Sequence, residues 1–143
     1  MIKKIILILF IPIIIYANEF NLKDKYDMGD SRAGFLYAKK FFEKKEYKKS
    51  GDILFQIVQR GDYAPAYSLF GYQLEYGLGV EQNCKMAASM YMNAALKMND
   101  CNSFKYIIDM INKNHCINII DTEKRNALKN KFIRLKEKCL NKI

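Results

Sequence analysis

Glycine, histidine and cysteine in metal-binding spacing are what this sequence has least of. Seven glycines occur among 143 residues, so the two in Glu75–Asn83 (EYGLGVEQN) need a reason. One histidine, His115, cannot complete a zinc site unless the neighbouring cysteines all converge on it, and no two cysteines have CxxC spacing. No metal or cofactor is therefore expected. No stretch alternates apolar and polar residues as a half-buried strand does, which argues against a sheet protein. A phosphate-binding loop is excluded as well, because GLGV lacks the lysine and the preceding strand that such a loop needs.

The chain opens MIKKIILILFIPIIIYANEF. Lys3 and Lys4 form a basic start, residues 5–15 an apolar run, and Ile15-Tyr16-Ala17 a cleavage site before Asn18. The run has the length of a signal-peptide core and is short for a membrane span. Residues 1–17 read as a signal peptide, with an uncleaved anchor as the alternative. The expected product is exported, to the periplasm or beyond. Net charge is +9 for the whole chain and +7 once Lys3 and Lys4 leave, with 22 basic against 15 acidic residues. An exported basic protein can meet anionic lipid, acidic polysaccharide or an acidic partner, and nucleic acid is not expected. Lysine, asparagine and isoleucine are abundant throughout, so the charge is equally explained by composition.

After a polar lead-in over 18–30, the apolar residues fall at helical spacing. A first helix is expected over 31–44, capped by Asp30 or Ser31, with Phe35, Ala38, Phe41 and Phe42 on one side. A second runs over 47–60, with Tyr47, Leu54, Ile57 and Val58 in line and Gly61 closing it. A third starts within 62–65, where Pro65 suits the first turn. Asn83 caps a fourth, 84–98, and a fifth covers 103–112 through Phe104, Ile107, Ile108 and Ile111. The last is expected over 122–140 behind Asp121.

Residues 34–62 and 66–98 are both helix pairs, and a third begins at Phe104. Gly77 then ends the third helix in a left-handed conformation, Gly79 allows a second bend, and Val80 turns an apolar side chain back between helices.

The stretch from Ala66, AYSLFGYQLEYGLGVEQNCKMAASMYMNAA, resembles a Sel1-like repeat, a relative of the tetratricopeptide repeat. Gly71, Gly77, Gly79, Val80, Ala87, Tyr91, Ala94 and Ala95 fall on that pattern, while Leu74, Asn83, Met86 and Met90 replace its usual residues. Ala38, Phe41, Tyr47, Ser50, Leu54 and Ile57 resemble a tetratricopeptide unit, and the segment from Cys101 resembles a terminal cap. The resemblance implies an all-α fold: a short right-handed α-solenoid of about six helices in stacked antiparallel pairs. Its repeat domain would cover 31–143, divided into 31–62, 64–98 and 101–143.

Four cysteines, an even number, suggest disulfides in an exported chain. Stacked pairs would bring Cys84, at the start of the fourth helix, to Cys116, past the end of the fifth. The same logic pairs Cys101 with Cys139, each bridge being worth about 3–4 kcal/mol in the chain-entropy model. The chain also resembles the cysteine-rich group of exported Sel1-repeat proteins, although the seven-residue spacing of paired thiols usual there is absent. That resemblance implies weak β-lactam binding or hydrolysis, but no Ser-x-x-Lys occurs: SRAG, SGDI and SFKY all lack it. His115 and Cys116 are adjacent on a turn, where neighbouring side chains rarely face each other.

Most of the ten tyrosines and nine phenylalanines lie at helical spacing and read as core, which leaves a surplus. Tyr37, Tyr63, Tyr67 and Tyr72 are the candidates for a concave groove holding a peptide, since a tyrosine ring is apolar and its hydroxyl bonds at the wet edge. The resemblance implies a protein–protein interaction module, with another protein or peptide as partner and catalysis by this chain not expected. Against it stand the β-lactam reading and an envelope subunit docked on an acidic surface through Lys129, Arg134 and Lys136 of the last helix. A three-unit stack can bury its ends on a second copy, so monomer and dimer both stay open.

Overall fold

The computed structural model describes residues 21–98, 100–113 and 116, together with 130, 133, 134 and 137. The leader, Cys139 and nearly all of the expected last helix lie outside that set. Among the described residues the chain is all-helical, without strands.

A short helix, α1, covers 21–27, where the sequence suggests only a polar lead-in. Tyr26 explains it. Its ring is buried against Gly34, its hydroxyl donates to Gln56 Oε1 at 2.7 Å, and the Arg60 guanidinium lies 5.1 Å from its centroid. Burial pushes the Tyr26 phenol up, and Arg60 opposes that shift.

The next helix, α2, is Ser31–Glu43, with the Asp30 carboxylate accepting from the Ala33 N–H at 2.9 Å. It closes without glycine. Lys45 takes a left-handed φ of 62°, and the N–H groups of Lys45 and Glu46 return to Phe42 and Phe41 carbonyls, which satisfies the exposed end. Helix α3 is Tyr47–Arg60, ended by Gly61 at φ 79°, and α4 is Ala64–Tyr76.

The expected fourth helix divides. Residues Cys84–Met92 form α5, capped by Asn83 on Met86 N–H, and Asn93–Lys97 continue it as a π-helical turn. The extra residue per turn lets Ala94 and Ala95 both face inward, at 0% and 1% exposure. Helix α6 is Ser103–Asn112.

Helices α2 with α3 and α4 with α5 pack as antiparallel pairs, α3 joins the pairs to each other, and α6 rests on α5 and α4. This is a solenoid-like stack. Its core is continuous: Ala38, Leu54 and Ile57 meet Ala66, Phe70 and Leu74, which meet Ala87, Tyr91 and Phe104. Leu54 and Ile57 are wholly buried, and each such side chain contributes about 1.5–3 kcal/mol.

Backbone and side-chain hydrogen bonds hold the reversal after α4. The Leu78 N–H donates to Gln73 O and the Asn83 N–H to Leu74 O, both at 2.9 Å. Gln82 Nε2 donates to the Glu75 carbonyl at 2.9 Å. The buried Gln73 side chain donates to Leu78 O and to Tyr47 O, tying the loop to α3. Gly77 and Gly79 both lie at positive φ, 66° and 69°. A Cβ on Gly79 would overlap the backbone of Tyr47 and Lys48, so this glycine serves a close approach between helix pairs as well as a bend.

Cys84 and Cys116 are disulfide-bonded with Cα atoms 5.5 Å apart, linking the start of α5 to the turn beyond α6. Cys101 is disulfide-bonded too; its expected partner lies outside the described residues.

Candidate functional site

The first helices of the successive pairs, α2 and α4, border a shared space together with α6. The result is a cleft of about 370 Å³. Phe35, Lys39, Phe42 and Glu43 line it from α2, four residues that recur on one helical face. Pro65, Ser68 and Leu69 line it from α4. Asp100, Asn102 and Tyr106 come from the turn before α6 and from α6 itself. A wider hollow, lined by Asp52, Phe55, Gln56, Gln59 and Arg60, belongs to α3 alone and encloses nothing.

Aromatic rings extend the cleft along α4. Phe42 meets Tyr72 edge-on with centroids 6.0 Å apart, and Tyr72 meets Tyr76 at 4.7 Å. Tyr106 stacks nearly parallel on Tyr91, at 5.3 Å and 9°. Tyr91 is fully buried and donates its hydroxyl to Glu75 Oε2 at 2.8 Å, and Glu75 is itself only 3% exposed. Burial raises the Tyr91 phenol well above its ordinary range, and the hydrogen bond to Glu75 raises it further. Tyr106 is raised by burial and then by Asp100, Tyr72 and Asp109. Tyr76 is raised by burial and then by Glu75.

The cleft floor is polar and closed. Ser103 donates its N–H to Asp100 Oδ2 at 3.2 Å, and its hydroxyl shares hydrogen bonds with Asp100 and Ser68. Asp100 thereby supplies the N-terminal cap that Asn102 does not. Ser103 is fully buried, so its hydroxyl is spent on the fold and offers no nucleophile to solvent.

Of the four tyrosines the sequence suggests, the structure does not make one face. Tyr72 lies in the aromatic extension of the cleft, and Tyr63 stands at its edge, 5.4 Å from Phe35. Tyr37 packs on Phe41 at 4.9 Å. Tyr67 turns away and donates to the Val58 carbonyl at 2.8 Å, bracing the end of α3. Residues 67 and 72 are five apart on one helix, hence roughly 140° apart around it. Phe42, Tyr76 and Tyr106, which do share the face, are missed because helical periodicity places Phe42 and Tyr76 in the apolar lines of their helices and leaves Tyr106 unassigned. The signal that finds Tyr76 is the stripe Pro65, Leu69, Tyr72 and Tyr76, spaced by four, three and four.

Of the residues that fall on the repeat pattern, Gly77, Gly79 and Val80 lie in the reversal after α4, and the others lie in the helices. Gly71 is covered by the Tyr91 ring, and Ala87, Tyr91, Ala94 and Ala95 are almost wholly buried. Among the described residues no group of three His, Cys, Asp or Glu side chains could hold a metal ion, and no helix is long and apolar enough to cross a membrane. No family model, no curated protein and no solved structure matches the chain.

Proposed function

We propose that this chain is an exported Sel1-like repeat protein that holds another protein or peptide in the cleft between α2, α4 and α6. The observation carrying the reading is that aromatic-lined cleft, formed by the first helices of successive pairs. Half-buried rings at the mouth of a preformed cleft are the usual anchors of a recognition surface. The Gly77–Val80 reversal and the buried alanines of α5 support the repeat assignment, because they lie where one pair docks on the next. The leader-like start and the disulfides support export to an oxidising compartment.

The test is crosslinking in living cells with tagged, full-length protein. A discrete partner that is lost with Tyr106→Glu and retained with Phe55→Glu supports the reading. A partner retained by both variants, or none above background, contradicts it. Circular dichroism of both variants establishes that the helices persist.

A further inference from the structure

The charge of the cleft runs against the charge of the chain. The whole sequence carries 24 lysines and arginines against 15 acids. Around the cleft and its aromatic extension the balance reverses. Glu43 and Asp100 line the cleft itself, while Glu75 and Asp109 act on the tyrosines at its end. Lys39 is the one lysine or arginine in the lining, and it is paired with Glu43 at 3.7 Å. The ionisable groups acting on Tyr106 are Asp100, Asp109 and another phenol; none is a cation. The same holds for Tyr76 and Tyr91.

The rings add to this field. Tyr76 and Tyr106 are each 37% exposed, and Tyr72 lies between Phe42 and Tyr76. The face of a phenol ring is negative and attracts an ammonium or guanidinium within about 6 Å. Carboxylates behind such rings strengthen that attraction, because the site is partly withdrawn from water. A carboxylate-bearing or phosphorylated ligand would meet repulsion from the same groups.

We infer that the cleft selects a peptide segment presenting a lysine or arginine side chain between apolar residues, the cation seated among Tyr72, Tyr76 and Tyr106 near Asp109 and its apolar neighbours against Phe35, Phe42 and Leu69. This deepens the proposed function and rests on it. Asp109 is partly exposed, and no ion pair to it occurs among the described residues.

The chain contains no tryptophan, so tryptophan in a probe peptide reports without background. The probe is a capped heptapeptide with lysine between leucine and tryptophan, compared with its Nε-acetyl-lysine form. Fluorescence anisotropy with the oxidised, full-length protein is the readout. The lysine peptide is expected to bind about tenfold more tightly than the acetylated one. Asp109→Lys should abolish that preference, whereas Asp52→Lys, the same charge change on the far helix α3, should leave it. Equal binding of the two peptides overturns the cation inference and leaves the peptide cleft standing; so does loss of preference in both variants. No binding of either peptide overturns both readings. A dimer in sedimentation velocity that Asp109→Lys dissociates overturns the inference in favour of a second copy as occupant.

Discussion

Gly79 lies with its backbone directly against that of Tyr47, and a side chain at 79 would occupy the space of the Tyr47 carbonyl carbon and the Lys48 nitrogen. The contact joins the loop after α4 to the first turn of α3, the second helix of the pair before it. Gln73 reinforces it from within, donating to the Tyr47 carbonyl at 2.8 Å.

Gly79→Ala is therefore expected to be costly. It combines a left-handed φ of 69° with a backbone overlap, and at least about 2 kcal/mol of stability should be lost. Gly29→Ala makes the comparison, since Gly29 has φ 99° but open space around it, and only about 1 kcal/mol is expected. Urea unfolding of the two variants reads the difference. Equal losses would show that conformation alone, without the approach to Tyr47, explains the glycine.

Leu54→Ala should lose about 2–5 kcal/mol, because Leu54 is wholly buried where α3 meets both neighbours. Leu36, 40% exposed on α2, should tolerate alanine with less than about 1 kcal/mol lost. Similar midpoints for the two variants would contradict the packing described.

The tyrosines with raised phenols predict how stability varies with alkaline pH. A phenol raised in the folded state favours folding while it is protonated. That contribution is complete below the unfolded value near 10 and is lost as pH rises from there toward the folded value. Tyr91, Tyr106, Tyr76 and Tyr26 all shift in this direction. Unfolding free energy should accordingly fall above pH ~10, and a tyrosinate absorbance titration should show Tyr91 ionising only as the chain unfolds. Tyr91→Phe should flatten the alkaline fall and cost about 1–3 kcal/mol at neutral pH, because buried Glu75 loses a donor. An unchanged alkaline slope in that variant would contradict the assignment.

Peptide mapping of the non-reduced protein should recover Cys84 linked to Cys116. Replacing both by serine removes a closed loop of 32 residues, worth about 3–4 kcal/mol in the chain-entropy model. A bond between Cys84 and Cys101 would contradict the arrangement of α5 and α6.

How far the sequence could be read depended on the range of each signal. Local signals were legible: the apolar spacing of 47–60, the Asp30 and Asn83 caps and the Gly61 and Gly77 stops placed helix ends well, since each acts within a few residues. Helix 21–27 was not, because its anchor Tyr26 depends on Gln56, thirty positions away. The π-helical turn was hidden as well, since residues 84–98 keep a helical apolar pattern and only packing reveals the extra residue. The site was half legible. Tyrosine surplus suggested a groove, and the five-residue spacing of Tyr67 and Tyr72 already sets them on different faces of one helix; the Val58 carbonyl that takes the Tyr67 hydroxyl lies on another helix, which no spacing encodes.

The central claim is that the cleft between α2, α4 and α6 is the recognition surface. A photoreactive phenylalanine analogue placed in turn at Phe42, Tyr106 and Phe55 tests it in cells producing the full-length protein. The account predicts one common adduct from positions 42 and 106 and none from 55. An adduct from position 55 alone, or from none of the three, would contradict it.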